Sequence, residues 1–161
     1  MRLIAVLLTT ALALPLQART FFVDADGGDD TQGGRNERQA WRSLTKVNSH
    51  ALAPGDTILF KAGATWYGTL APSGSGSADA PVVIGRYGAA DDAPHINAGG
   101  ATEPVILRNV AHLRFQDLLL TNPATDPHRR ARGIYLFADD GRVVRDVTIR
   151  RCELTDIVGD S

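Results

Sequence analysis

Residues able to recognise a ligand are concentrated in the last third of the chain. A basic segment, residues 128–132 (HRRAR), precedes an apolar run that contains Tyr135, and Arg150 follows in a later run. Arginine forks bind carboxylates through two parallel hydrogen bonds, and an aromatic ring offers a surface on which a sugar can stack. The sequence therefore predicts a substrate-binding site formed by Tyr135, Arg130, Arg132 and Arg150. A solvated basic loop is the alternative interpretation of the same residues.

Asp139 and Asp140 are the candidate metal ligands, because hard cations such as Ca²⁺ take several oxygen ligands. The alternative is a solvated turn, which the Asp140-Gly141 pair favours. A second acidic group precedes them in the chain, but its spacing does not match a calcium-binding EF-hand loop, and we interpret it as a polar turn. It consists of Asp24, Asp26, Asp29 and Asp30.

No residue is assigned a catalytic role. A glycoside hydrolase needs two carboxyls about 5–9 Å apart. Asp117 and Asp156 lie at predicted strand ends, but the internal repeat described below does not superpose them. A lyase acting on an acidic sugar needs a cation to neutralise the uronate carboxylate and a Lys or Arg to remove the neighbouring proton. No phosphate-binding glycine loop, Ser/His/Asp order or zinc-ligand spacing stands out.

The composition is that of one globular domain. The chain has 161 residues, 43% of them hydrophobic, and 17 Lys and Arg residues against 18 Asp and Glu give a net charge of −1. That charge balance does not favour a nucleic-acid partner. The single cysteine, Cys152, excludes an intrachain disulfide and a thiolate metal cluster, and we interpret it as a packed core residue.

The chain begins with a segment typical of a signal peptide, residues 1–18. A basic start is followed by an almost wholly apolar run, residues 3–16, which is shorter than the roughly 20 residues that span a bilayer. We therefore expect a secreted or periplasmic protein without a membrane anchor after cleavage. The remaining chain divides into residues 19–56, with a strand, a loop and a capping helix, and residues 57–161.

Two local patterns describe the cap and the loop after it. Asn36 and Gln39 have the spacing of a helix cap and its partner, and apolar residues at helical spacing predict one helix that continues to about His50. Residues 73–77 (SGSGS) predict a flexible loop between strands.

An internal repeat predicts the fold of residues 57–161. At an offset of 34 residues four apolar positions coincide, and Asn122 falls on Asp156; at an offset of 29 residues, 105–107 falls on 134–136. Short strands that repeat in this way must stack on one another to bury their inner faces. The prediction is an all-β, right-handed parallel β-helix of about four coils, with starts at Ile58, Val82, Val105 and Ile134. The coinciding pairs are Leu113 with Val147, Phe115 with Ile149, Leu118 with Cys152, and Leu120 with Leu154.

The sequence resembles the secreted right-handed parallel β-helix proteins of the pectin-lyase-like superfamily. The resemblance is carried by segments 22–33, 40–44 (AWRSL), 54–58 (PGDTI), 80–84 (APVVI) and 86–88 (RYG). Family members are mostly polysaccharide lyases and glycoside hydrolases that stack more coils than this chain contains. The resemblance therefore implies that the chain is truncated after Ser161.

Three functions are compatible with this resemblance. The first is a lyase that cleaves a uronate-containing polysaccharide by β-elimination, with Ca²⁺ as a possible cofactor. The second is a glycoside hydrolase of the same fold, and the third is a non-catalytic carbohydrate-binding or surface scaffold. In each case we expect a polysaccharide partner and a monomeric protein.

Overall fold

The computed structural model describes residues 17–100, 103–123 and 131–158. Most of the predicted signal peptide therefore lies outside the described residues. Within the described ranges, no helix is long and apolar enough to cross a membrane.

The N-terminal cap contains a strand and two separate short helices. The strand is β1 (Thr20–Val23), and it is followed by a 3₁₀ helix (Glu37–Gln39) and by α1 (Leu44–Ser49). Asn36 caps the first helix as predicted, but the prediction of one continuous helix to about His50 is wrong. The chain becomes extended because the backbone of Trp41 bonds to Phe22 and Asp24 beside β1, and Ser43 then caps α1.

Four coils of three strands each follow the cap, which confirms the predicted all-β parallel β-helix of about four coils. Each coil contributes one strand to each of three faces, and all the pairings between coils are parallel. The coils are β2 (Ala51–Leu52), β3 (Thr57–Lys61) and β4 (Thr65–Tyr67); β5 (Ser73–Gly74), β6 (Val82–Tyr87) and β7 (His95–Asn97); β8 (Val105–Arg108), β9 (Ala111–Gln116) and β10 (Leu119–Asn122); and β11 (Ile134–Phe137), β12 (Arg145–Arg150) and β13 (Glu153–Ile157).

The strands are arranged on three faces. The first face holds β2, β5, β8 and β11, with a bridge from Leu70 to Val105 between coils 2 and 3. The second face is the five-stranded sheet β1-β3-β6-β9-β12, and the third face is the sheet β4-β7-β10-β13. Ile58 and Val82, predicted as coil starts, therefore lie on the second face, whereas Val105 and Ile134 do begin their coils.

The predicted repeat register is confirmed in three strand pairs. Leu113 pairs with Val147, Leu120 with Leu154, and residues 105–107 with residues 134–136. The expected pairing of Asn122 with Asp156 is wrong, because a bulge makes Asn122 pair with Ile157.

The interior is one apolar core that runs from the cap through the coils. Trp41 and Trp66 are buried in the cap and the first coil, and Cys152 packs against the core from coil 4. Burial raises the pKa of the Cys152 thiol, as expected for a structural cysteine.

The SGSGS segment is not simply a loop, because Ser73–Gly74 forms strand β5. Its two residues pair with Ala51 and Leu52. A Cβ on Gly74 would lie 2.1 Å from the carbonyl oxygen of Leu52, so this close approach requires glycine. The segment therefore forms part of the first face.

Candidate functional site

A groove with a volume of about 820 Å³ lies on the first face. One wall is the segment 71–75 of coil 2, and the remaining lining comes from coils 3 and 4. We call it the first-face groove. Its lining from the later coils is Glu103, Ile106, Arg108, Asn109, Tyr135, Phe137, Asp140 and Arg142.

Strand β11 positions two aromatic rings in this groove. Tyr135 and Phe137 are two residues apart, so they lie on the same side of the strand, while Ile134 and Leu136 alternate with them. The two ring centroids are 5.0 Å apart, with an interplanar angle of 23°. Tyr135 lies above Ile106 of coil 3, which also lines the groove.

Arginine side chains extend this aromatic pair at both ends. The Arg132 guanidinium lies 4.4 Å from the Tyr135 ring centroid, and that of Arg108 lies 5.8 Å from the Phe137 ring centroid. The four side chains form a continuous row, which we call the cation–aromatic row. A guanidinium over an aromatic face is attracted by the negative charge of the ring face, so these contacts help to order the row.

Carboxylates hold both arginines of the row. Arg132 Nη1 donates to Glu103 Oε1 at 2.8 Å, and the Glu103 side chain is only 4% exposed. Arg108 Nε donates to Asp139 Oδ2 at 2.8 Å, while Asn109 Nδ2 donates to Asp139 Oδ1. These hydrogen bonds from Arg108 and Asn109 lower the pKa of Asp139, and the same pairing raises the pKa of Arg108.

The charges around the groove balance. Three carboxylates and three guanidinium groups line the first-face groove or belong to the ion pairs of the cation–aromatic row. The described residues therefore give the groove no net charge. A groove of this kind offers hydrogen-bond donors and acceptors without a net field for a charged ligand. The carboxylates are Glu103, Asp139 and Asp140, and the guanidinium groups are those of Arg108, Arg132 and Arg142.

The structure brings two of the four predicted substrate-binding residues together. Tyr135 lines the groove and Arg132 contacts its ring. Arg150 lies instead on the second face, where its Nε donates to Gln116 Oε1 at 2.9 Å. Arg130 lies outside the described residues.

The candidate metal ligands have different environments. Asp140 lines the groove, whereas both carboxylate oxygens of Asp139 already accept hydrogen bonds from protein groups. Within the described ranges, no group of three or more His, Cys, Asp or Glu side chains is arranged to hold a metal ion. Calcium binding at Asp139 and Asp140 stays a prediction.

Other acidic residues considered from the sequence serve the structure. Asp117 forms a two-bond ion pair with Arg151 at the corner between coil strands. Asp24 accepts from the backbone of Asp26 and Gly27 and pairs with Lys61 at 2.7 Å. These residues stabilise turns and corners, in agreement with their structural interpretation.

Three residues of the groove were missed from the sequence. Phe137 had a usable signal, because it follows Tyr135 at the two-residue period of a strand. Arg108 and Glu103 had none: each is paired with a residue 31 or 29 positions away, and only the stacking of coils brings the partners together.

Comparison with known proteins relates the chain to carbohydrate-active enzymes. No protein-family model matches it. The chain is 30% identical over 134 residues to a lacto-N-biosidase of Bifidobacterium longum subsp. longum, a match that covers 66% of this chain and 8% of that protein. The likeness is to a glycoside hydrolase.

Solved structures with the same fold carry a related name. Two crystal structures of the GH136 lacto-N-biosidase from Eubacterium ramulus, a selenomethionine derivative and the native protein, superpose with TM-scores of 0.72 and 0.69. Identity is 19%, and each match covers 84% of this chain and 34% of that chain. This likeness supports the fold, and the chain spans about a third of the length of these structures.

Proposed function

We propose that this chain is a carbohydrate-active parallel β-helix that binds a neutral oligosaccharide in the first-face groove and serves glycoside hydrolysis rather than β-elimination. The observation that carries the proposal is the cation–aromatic row in a groove without net charge. A sugar presents apolar C–H faces and many hydroxyl groups, and the row presents aromatic carbon beside hydrogen-bond donors.

The charge balance favours a neutral ligand over a uronate polymer. Lyase chemistry on uronates needs positive charge to neutralise the sugar carboxylate. In the groove, Arg132 and Arg108 are already neutralised by Glu103 and Asp139. A uronate would have to compete with these carboxylates, whereas a neutral sugar can accept hydrogen bonds from the remaining guanidinium N–H groups.

The relatives suggest the first ligand to test. Both are named lacto-N-biosidase, so an oligosaccharide that contains lacto-N-biose is the natural probe. The Bifidobacterium longum protein is much longer than the aligned segment, and its activity is carried over to this chain only as part of the proposal. The non-catalytic scaffold remains the alternative for a chain that binds the sugar without cleaving it.

Calorimetric titration tests binding. A lacto-N-biose-containing tetrasaccharide should bind the wild-type chain, and oligogalacturonate of similar length should bind at least about tenfold more weakly. Tyr135→Ala should weaken tetrasaccharide binding about fivefold or more, because it removes the centre of the row. Tyr67→Ala is the matched control, since Tyr67 is 76% exposed on β4 and lies outside the groove.

Product analysis tests the reaction. Release of a disaccharide with a free reducing end supports hydrolysis, whereas absorbance from a new carbon–carbon double bond with oligogalacturonate would support β-elimination and contradict the proposal. Binding without any product would support the scaffold alternative. Equal losses in Tyr135→Ala and Tyr67→Ala would rule out the groove as the binding site.

A further inference from the structure

A second cavity lies on the second face, away from the first-face groove, and has a volume of about 350 Å³. It is formed by strands β9 and β12 together with the turn before β6. We call it the second-face cavity. Its lining is Ser77, Ala78, Pro81, His112, Arg114, Asp146 and Thr148.

Arg114 is the one permanently charged cation of this lining, since the other basic residue is His112. It is an outward, exposed residue of β9, between Val83 of β6 and Thr148 of β12 in the strand register. Among the described residues it has no hydrogen-bond or ion-pair partner, unlike Arg108, Arg132 and Arg151. An unpaired guanidinium in a concave surface is suited to a carboxylate, which it can bind through two parallel hydrogen bonds.

Two residues of the lining have an unusual backbone within strands. His112 and Asp146 have φ values of 53° and 52°, in the left-handed region that few non-glycine residues adopt. Most of the other non-glycine residues with positive φ lie at corners, but His112 is inside β9 and Asp146 is inside β12. Irregular residues inside strands commonly redirect a side chain, and strain of this kind is concentrated at functional sites.

The redirected side chains meet at the cavity. His112 Nδ1 lies 3.1 Å from Asp146 Oδ2, so the imidazole and the carboxylate are in contact. The Thr148 and Ser77 hydroxyl groups add two further hydrogen-bonding groups. Two successive coils therefore place the same irregularity side by side and build one polar lining from it.

We propose that the second-face cavity binds a carboxylate group through Arg114, with hydrogen bonds from the neighbouring hydroxyl groups. The ligand is either an acidic sugar residue or a free organic acid, because both present the same planar monoanion. A phosphate dianion is disfavoured, because the single guanidinium of the lining cannot neutralise its second negative charge. This site is independent of the neutral oligosaccharide proposed for the first-face groove.

The test is an NMR titration of the ¹⁵N-labelled chain at low salt with galacturonate, acetate, galactose and inorganic phosphate. Galacturonate should give saturable shifts at amides of β9 and β12, and galactose should give none there. Arg114→Gln should weaken binding about tenfold or more, as expected for a charged hydrogen bond. Arg145→Gln, which removes an exposed arginine of β12 outside the cavity lining, should change it less than twofold.

Acetate separates the two sources of the carboxylate. Tighter binding of galacturonate than of acetate supports an acidic sugar, and equal binding supports a small organic acid. The proposal is overturned if no carboxylate binds, if Arg114→Gln leaves the affinity unchanged, if Arg145→Gln weakens it equally, or if phosphate binds more tightly than galacturonate. Arg114→Gln should retain tetrasaccharide binding in the first-face groove, so failure of one site is distinguishable from failure of the other.

Discussion

Coils 3 and 4 have the same strand order and matching register, yet they differ in burial. Leu107, Phe115 and Leu120 of coil 3 are all 0% exposed, whereas their partners Leu136, Ile149 and Leu154 are 39%, 39% and 45% exposed. Coil 3 has a coil on each side, while coil 4 has a described neighbour on one side only. Burial in this fold therefore depends on stacking, and the same inward position has a different energetic value in each coil.

The largest expected effect is the difference between two substitutions at paired positions, Phe115 in coil 3 and Ile149 in coil 4. Phe115→Ala should lower the free energy of unfolding by about 3–5 kcal/mol, because it leaves a cavity in a closed core. Ile149→Ala should lower it by about 1 kcal/mol, since its site is already partly open to solvent. Urea denaturation of both variants measures the difference, and equal losses would contradict the role assigned to stacking.

A second prediction compares two carboxylates that bind arginine. Asp56 precedes β3, its side chain is 1% exposed, and it accepts from the Arg19 side chain and the Ala53 amide. Asp117 in coil 3 is more exposed and pairs with Arg151 of coil 4. Asp56→Asn should lower the free energy of unfolding by about 1–3 kcal/mol, because it removes the buried charged acceptor of the Arg19 and Ala53 hydrogen bonds. Asp117→Asn should lower it by less than about 1 kcal/mol.

The same two residues also differ in their response to acid. Burial opposes ionisation of Asp56, but the hydrogen bonds from Arg19 and Ala53 outweigh it and lower its pKa; at Asp117 the Arg151 hydrogen bonds lower the pKa. A carboxyl with a lowered folded-state pKa stabilises the protein above its ordinary pKa and loses that contribution as the pH falls. As the pH falls below about 4, the stability of the wild type should therefore decrease more steeply than that of Asp56→Asn, which has already lost this contribution. Urea denaturation of both chains between pH 5 and pH 3 measures the two slopes, and equal slopes would contradict the role of Asp56.

The smallest predicted effect is at His50 in the cap. Its ring packs 4.5 Å from Phe21 and 5.1 Å from Trp41, and its Nε2 is buried without a partner among the described residues. Burial, together with the nearby Arg19, Lys46 and Arg35, lowers the pKa of His50, although Asp56 acts in the opposite direction.

As the pH falls, the unfolded chain therefore binds a proton at His50 at a higher pH than the folded chain does. The free energy of unfolding should decrease as the pH drops below about 6.5. His50→Phe keeps a ring in this position and should remove that part of the pH dependence. Thermal unfolding between pH 7.5 and pH 5.5 compares the two chains. If the melting temperature of His50→Phe falls with pH as steeply as that of the wild type, the pH dependence comes from other groups.

The fold was more predictable from the sequence than the site. Leu113 and Val147 repeat because both must fill the same inward position of successive coils, and a repeat of this kind is visible in one sequence. Tyr135 could be singled out for a similar reason, as an outward residue between apolar ones, and its role in binding stays a prediction. The sequence did not predict that Glu103 pairs with an arginine of the groove or that Gly74 forms part of the groove wall, because both roles depend on partners in other coils. Arg150 lies on a different face from Tyr135, because outward residues of one coil can lie on different faces.

The first-face groove joins three coils, with its wall in coil 2 and its row in coils 3 and 4. A ligand bound there would contact the partly exposed coil 4 and the closed coil 3 at the same time. By mass action, a ligand at 100 times its dissociation constant would add about 2.7 kcal/mol to the folded state. Because opening of coil 4 would dismantle the site, that energy would oppose local opening of coil 4, and sugar binding would protect it from proteases and hydrogen exchange.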